Sequence, residues 1–349
     1  MRADERLAET KRFTDGLLSW VRGRGKIVII VHDNPDPDCL ASAMALHHLF
    51  VMTLNKDSVI TFSGMIGRSE NLAMAKELEI PLTPLTIVDM NDFHVVCMLD
   101  TQPETGNNSL PPGTKVDLVI DHHPIREASR KCRWLDIREG YGATSTILYE
   151  YLVAQDVSIG TKLATALFYA IKSETQDLGR EAERADRQAY LQLFPFANKN
   201  LLFEITYPKL PVEYFAGLKT ALERAKIYGN VLIANLKGIS IPDVVAEMAD
   251  LLLRLEGIDT VLCMGHYNDG VLISLRTSSE KINAGDIIRR LVQGRGSAGG
   301  HGMMAGGRLD NVAADPAAIR AAERLLTSRL LAELSVGRAQ PLKLIRRRH

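Results

Sequence analysis

An α/β architecture is what this sequence predicts: an N-terminal doubly wound, mostly parallel sheet, followed by a smaller C-terminal α/β domain across a cleft. Three observations lead there. A continuous apolar, β-branched run at 27–31 reads as a strand buried on both faces, as strands of parallel sheets are. Further runs of that kind alternate with Ala/Leu-rich stretches of helical length. The chain also has 349 residues, more than one hydrophobic core of about 250–300 residues usually serves.

Residues 3–22 predict a helix, with Phe13, Leu17 and Val21 at i, i+4 spacing and Gly23 and Gly25 ending it. The strand at 27–31 precedes a helix at 39–50. Strands are then expected at 59–62, 85–88, 94–99 and 116–120, with helices at 69–79, 143–154 and 161–172. From 181 to 215 charged stretches, Pro195, Pro208 and Pro211 break the pattern. We therefore place a first domain at 1–195, a connector at 196–227, a second domain at 228–335 and a basic tail at 336–349. Within the second domain, 231–236 predicts a strand and 243–255 a helix. Strands at 260–267 and 271–276 form a hairpin across Asn268-Asp269-Gly270. A helix at 284–293 then leads into a glycine-dense loop at 294–307, and Asp315-Pro316 opens a closing helix at 316–334.

The 42 Lys and Arg balance the 42 Asp and Glu, so any anionic ligand must be held by a local site, not by overall charge. Four scattered cysteines without a C-x-x-C pair argue against a disulfide framework or a thiolate zinc site. No apolar h-region opens the chain and no apolar run approaches the ~20 residues a membrane span needs. A cytoplasmic protein without a membrane partner is the expectation. The terminal Arg346-Arg347-Arg348-His349 reads as a solvated tail.

The informative feature is where polar residues fall. The strand at 27–31 runs directly into His32-Asp33-Asn34-Pro35-Asp36-Pro37-Asp38, the one at 94–99 ends on Asp100, and the one at 116–120 ends on Asp121-His122-His123. Ligands of open parallel sheets bind beyond the carboxyl ends of the strands. A lone Asp at a strand end is more often a loop cap, and His47 and His48, on the 39–50 helix, suit packing or surface. Eight Asp and His residues at three strand ends are not explained that way. Carboxylates so crowded stay ionised together only if cations neutralise them, and mixed Asp/His ligands suit Mn²⁺, Fe²⁺ or Zn²⁺ better than Ca²⁺. Two such ions about 3.5–4 Å apart, bridged by one carboxylate, are a device for cleaving phosphate esters.

These residues closely resemble the DHH phosphoesterase superfamily, within it the subfamily with a C-terminal DHHA1 domain. The likeness rests on Asp121-His122-His123, HDNPDPDCLAS at 32–42, Asp100 in MLDTQ, GATSTILYEYL at 142–152, AIKSETQDLGR at 170–180 and GRGSAGGHGMMAGG at 294–307. The resemblance implies one ion, most simply manganese, on His32, Asp36 and Asp100. A second would sit on Asp38, Asp100, His122 and an acid of the 170–180 motif. It further implies that His123 touches the scissile phosphate or protonates the leaving oxygen, and that Asp121 orients an imidazole. Pro37 and Ala41 stand where the family often has Gly. The family's fifth-motif acid is Asp, whereas Glu174 aligns here and Asp177 lies three residues on. Gly299, Gly300, His301 and Arg276 are implied to bind the remote end of a small nucleotide or short oligonucleotide. An inorganic pyrophosphatase or a non-catalytic nucleotide sensor is the alternative, and a homodimer stays open.

Overall fold

A computed structural model describes residues 3–179, 182–279, 281–337 and 340–345, and of Ala3, Asp4 and His301 the main chain alone. The chain divides into two compact units, Met1–Pro208 and Lys209–His349. Among the described residues no helix is long and apolar enough to cross a membrane.

In the first unit the elements are α1 (Ala3–Arg22), β1 (Ile27–Ile30), α2 (Pro37–Leu54), β2 (Ser58–Phe62), α3 (Ser69–Glu77), β3 (Leu82–Pro84), β4 (Val95–Leu99), β5 (Leu118–Asp121), β6 (Trp134–Ile137), α4 (Thr144–Ala154), α5 (Thr161–Glu174), α6 (Arg184–Leu193) and α7 (Lys199–Thr206). The strands form one parallel sheet in the order β3-β2-β1-β4-β5-β6. The chain winds outward from β1 to β3, then returns to place β4 on the other side of β1. That reversal is the topological switch point at which open sheets bind ligands.

Alternation along the strands sorts the core. Ile27, Ile29, Val95, Cys97, Leu118 and Ile120 pack with α1, α2, α4 and α5 in one large cluster. The intervening Val28, Ile30, Val96, Met98 and Val119 form a smaller cluster with Phe93 and Leu110 from connecting segments and Leu135 of β6. β1 and β4 are buried from end to end, which accounts for their unbroken apolar sequence.

The second unit contains α8 (Val212–Arg224), β7 (Lys226–Tyr228), β8 (Val231–Gly238), α9 (Val244–Leu252), β9 (Thr260–Tyr267), β10 (Gly270–Thr277), α10 (Ala284–Val292), β11 (Gly296–His301), β12 (Met304–Leu309), α11 (Pro316–Glu333) and β13 (Leu342–Lys343). Its sheet runs β11-β12-β10-β9-β8-β7-β13 and is mixed, with β8 and β9 parallel. α10 and α11 pack on one face and α8 and α9 on the other.

Three expectations need correction. The apolar 85–88 is largely a 3₁₀ turn, Leu85–Ile87, and the short edge strand is β3 just before it. β6 was not foreseen, because Trp134-Leu135-Asp136-Ile137 is too short to show a period. The glycine-dense stretch at 294–307 is a hairpin, not a loop. Glycine is a poor strand former, but close backbone approach overrides propensity here: a Cβ on Gly296 would lie 1.8 Å from the Arg308 carbonyl oxygen.

Candidate metal centre

The turn after β1 is built by its own polar residues. Asn34 adopts a left-handed conformation (φ 57°) and receives the Met65 amide on its side chain. Asp36 caps α2: one carboxylate oxygen accepts the Asp38 and Cys39 amides at 3.0 and 3.1 Å. Pro37 opens the helix, where its missing N–H costs nothing. The other Asp36 oxygen faces His32 Nε2 at 3.4 Å. One residue thus serves both as a helix cap and as part of the acid cluster.

Asp100 ends β4 in a left-handed conformation (φ 56°), a strain that non-glycine residues bear chiefly at functional sites. Its amide donates to the Ile120 carbonyl, and its carboxylate accepts the Thr144 hydroxyl at 2.9 Å. The same carboxylate lies 3.6 Å from His32 Nε2, 3.6 Å from His122 Nε2 and 3.7 Å from His123 Nδ1. Asp38, 1% exposed, accepts the Thr144 and Ser145 amides at 2.7 and 2.8 Å, so its charge sits on the N-terminus of α4. That is the physical role of the Ala143-Thr144-Ser145 motif.

The two metal-facing imidazoles are oriented alike. His122 Nδ1 lies 3.0 Å from the Tyr141 carbonyl, and His32 Nδ1 lies 3.0 Å from the Asp33 carbonyl. A carbonyl only accepts, so each Nδ1 carries a proton. Each Nε2 is then turned toward carboxylates, at 3.4 and 3.6 Å for His32 and at 3.6 and 4.0 Å for His122. Among the described residues, His122 Nε2 is buried without a hydrogen-bond partner. Either a proton or a cation must stand between such groups. The separations exceed a charged N–H···O bond of about 2.7–2.9 Å. Ligands about 2.1 Å from a shared ion would lie roughly 3–3.5 Å apart, close to what is observed. The residues therefore fit divalent cations.

Electrostatics agree. Burial, with Asp100 beside it, pushes the Asp38 carboxyl up to about 7. Glu174, at the end of α5, is raised well above the carboxylate range by burial and by Asp36, Asp38 and Asp100. Burial alone would raise Asp36 too, but His32 and the capping amides hold it below that range. Burial would lower His123, yet its hydrogen bond to Asp121 and the fields of Asp100, Asp121 and Glu174 carry it up to about 9.

His123 stands apart from the other two imidazoles. Its Nδ1 lies 2.8 Å from Asp121 Oδ1, which also accepts the His123 amide at 3.1 Å. Asp121 Oδ2 accepts the Gln102 side-chain amide at 2.8 Å. Gln102, fully buried, was missed in the sequence, as was Thr144; both lie inside quoted motifs, but nothing in a pattern of residue types distinguishes them. Cys39 lies near His32 and Asp36, with its buried thiol pushed up to about 12 and donating to the Asp36 carbonyl.

Of the two fifth-motif acids, Glu174 interacts with the cluster and Asp177 does not. Asp177 is exposed, paired with Lys172 at 3.3 Å and bonded by the Tyr190 hydroxyl. His47 bonds Ser58 and His48 the Ser158 carbonyl, as packing and surface residues do.

In the second unit, Arg276 is buried on β10, where it pairs with Asp250 and donates to the Leu275 and Ala305 carbonyls. Gly299 and Gly300 lie in β11. Gly300 has φ 128°, and a Cβ there would stand 2.5 Å from Ala305 Cα, so only glycine fits. The His301 side chain and Arg346 to His349 lie outside the described residues.

These features define a class: an α/β protein with a carboxylate–imidazole cluster suited to divalent ions at the switch point of a parallel sheet. The family follows from comparison. Residues 26–171 match the DHH family, N-terminal domain, and residues 229–328 match the DHHA1 domain. This chain belongs to the DHH superfamily and carries a DHHA1 domain. It is 35% identical over 275 residues to an uncharacterized protein of Methanocaldococcus jannaschii, covering 78% of this chain and 56% of that protein. It is 25% identical over 150 residues to a probable manganese-dependent inorganic pyrophosphatase of Staphylococcus saprophyticus subsp. saprophyticus, covering 43% of this chain and 48% of that protein. The chain thus spans about half the length of these relatives. An exopolyphosphatase-related protein from Bacteroides fragilis shares the fold with a TM-score of 0.73 at 15% identity, over 93% of this chain and 98% of that one.

Proposed function

We propose that the chain hydrolyses phosphate esters of small nucleotides (short oligonucleotides, bisphosphorylated adenosine, or cyclic and linear dinucleotides) with two divalent ions, preferentially manganese. The observation that carries this reading is the pair of Nε2 atoms, of His32 and His122, facing shared carboxylates at 3.4–4.0 Å. His32, Asp36 and Asp100 would hold one ion, and Asp38, Asp100, His122 and Glu174 the other. When bound, such ions ionise a water at neutral pH and neutralise the phosphoryl oxygens.

The remaining groups act on geometry and protons. The α4 amides fix the Asp38 carboxylate and the Thr144 hydroxyl fixes Asp100, so these acids are preorganised. Hydrolysis joins a water oxygen to phosphorus and breaks the ester P–O bond, and the departing oxygen must gain a proton. His123, held by Asp121 and raised to about 9, is charged at neutral pH and suited to supply it. In the second unit, a glycine hairpin with open space over Gly299 suits the remote phosphate or nucleoside. The manganese preference is supported by the mixed ligands and by the name of the pyrophosphatase relative.

The test is product release from a panel of a dinucleotide, the bisphosphate, cyclic di-AMP, cyclic di-GMP and pyrophosphate, before and after EDTA treatment. We expect EDTA to abolish turnover and Mn²⁺ to restore it best, on nucleotide esters. Full activity after metal removal would overturn the mechanism, and turnover of pyrophosphate alone would overturn the substrate class.

A further inference from the structure

Gln102 sits two residues beyond Asp100 with its side chain fully buried. The Arg126 amide and the Ser129 hydroxyl approach one end of its carboxamide at 2.8 and 2.9 Å. A main-chain N–H can only donate, so that end is the oxygen and the side chain cannot be flipped. The NH₂ end therefore faces Asp121 Oδ2, at 2.8 Å, and the Pro124 carbonyl, at 3.1 Å. A donor on Oδ2 requires that oxygen to accept. With the His123 amide donating to Oδ1 as well, both oxygens accept N–H bonds, which favours the ionised carboxylate and leaves His123 Nδ1 as the donor to Asp121. The order of constraint runs from the 126–129 main chain to Gln102, then to Asp121, then to the ring.

We propose that Gln102 is a positioning residue: it locks Asp121 as an acceptor so that His123 presents Nε2 to the departing ester oxygen. A polar group at this depth is destabilising if its partners are lost, so the fully satisfied amide specifies one arrangement. Glutamate here would set a second carboxylate against Asp121, and methionine would keep the volume while removing every bond. The inference rests on the proposed hydrolysis, with His123 as proton donor.

The experiment compares a dinucleotide with the para-nitrophenyl ester of a nucleoside monophosphate, whose leaving group needs no proton. For Gln102→Met we expect kcat on the dinucleotide to fall about a hundredfold, the general-acid range. On the activated ester the fall should stay below about fivefold, with KM and bound metal unchanged. Equal losses on both esters, or loss of metal, would overturn the inference and make Gln102 a support of the fold. Should Gln102→Met fail to fold, Ser129→Ala, which removes one bond to the amide, must show the same selectivity at smaller size; a uniform loss there also overturns it. A readout without turnover separates this inference from the function itself. In wild-type protein loaded with diamagnetic Mg²⁺ a downfield, exchange-protected Nδ1 proton of His123, assigned by its absence in His123→Asn, should be present and should vanish in Gln102→Met. Its survival there would sink the role of Gln102. Absence of turnover in the wild type would instead sink the hydrolase reading, leaving the resonance to decide the positioning role.

Discussion

The strand ends of the first unit and the glycine hairpin of the second each hold residues that an ordinary core or strand avoids. At the strand ends, ionisable groups are sunk out of water: Asp38, Asp100 and Asp121 are all at most 3% exposed, and three imidazoles lie against them. Every contact there fixes a charge or a proton. In β11 and β12 the unusual feature is missing side chains, at Gly296, Gly299, Gly300, Gly306 and Gly307: backbone packs where a Cβ would collide at Gly296 and Gly300, whereas Gly299 faces open space. Crowded acids create a need that cations meet, whereas bare backbone offers close approach without acid–base chemistry. On the proposed function, bond cleavage belongs to the first region and ligand holding to the second, and substitutions in the two should fail differently.

The sharpest break is expected at Asp100, which alone faces all three imidazoles. Asp100→Asn should reduce kcat on the order of a thousandfold and deplete both ions by elemental analysis, because one carboxylate serves both. Glu174→Gln should cost less, roughly 10–100-fold, with one ion weakened. Asp177→Asn, at an exposed pair with Lys172, should leave two ions bound. Two ions retained in Asp100→Asn would remove the shared ligand from the mechanism.

Gly300→Ala probes the other region. Its Cβ would strike Ala305 in a conformation that L residues rarely adopt, so the hairpin must shift. If the hairpin only holds the remote part of the substrate, KM for a dinucleotide should rise about tenfold while turnover of a minimal para-nitrophenyl phosphodiester is unchanged. Equal loss on both would show that the hairpin supports the whole unit.

How legible each region was follows the same contrast. The cluster could be read because apolar runs ending in acid or histidine mark strand ends, and a parallel sheet gathers such ends at one edge. What could not be read are the partners that act through the main chain or from afar. The Tyr141 carbonyl orients His122, the α4 amides hold Asp38, and Gln102 lies 19 residues from the Asp121 it fixes. Composition likewise concealed the hairpin, since seven glycines in fourteen residues describe a loop until two strands are seen to pair with few side chains between them. The choice between Glu174 and Asp177 turns on the end of α5, where Asp36, Asp38 and Asp100 act on Glu174.

The smallest effect expected is thermodynamic and leaves the hairpin out altogether. In metal-free protein, Asp38 and Glu174 are raised by burial and neighbouring acids, so the native state keeps protons that the unfolded chain has released. Their penalty grows as pH climbs from the ordinary carboxylate range through about 7 for Asp38. His32 and His123 are raised as well; their contribution is complete below the ordinary imidazole value and is lost as pH rises, through about 9 for His123. Asp36 has the opposite sign, but its lowered value matters only in acid. All the operative shifts therefore make the metal-free protein less stable with rising pH. Bound ions reverse the trend, because they compete with those same protons and gain affinity as the protons leave. Thermal melts in EDTA and in Mn²⁺, at about pH 6 and about pH 8, should show a Tm gap that widens at the higher pH by several degrees, given roughly 2–4 °C per kcal/mol in a domain of this size. The gap should persist in Gly300→Ala and shrink in Asp100→Asn. A gap independent of pH would mean that the strand-end acids do not carry the proton–metal competition on which the comparison of the two regions depends.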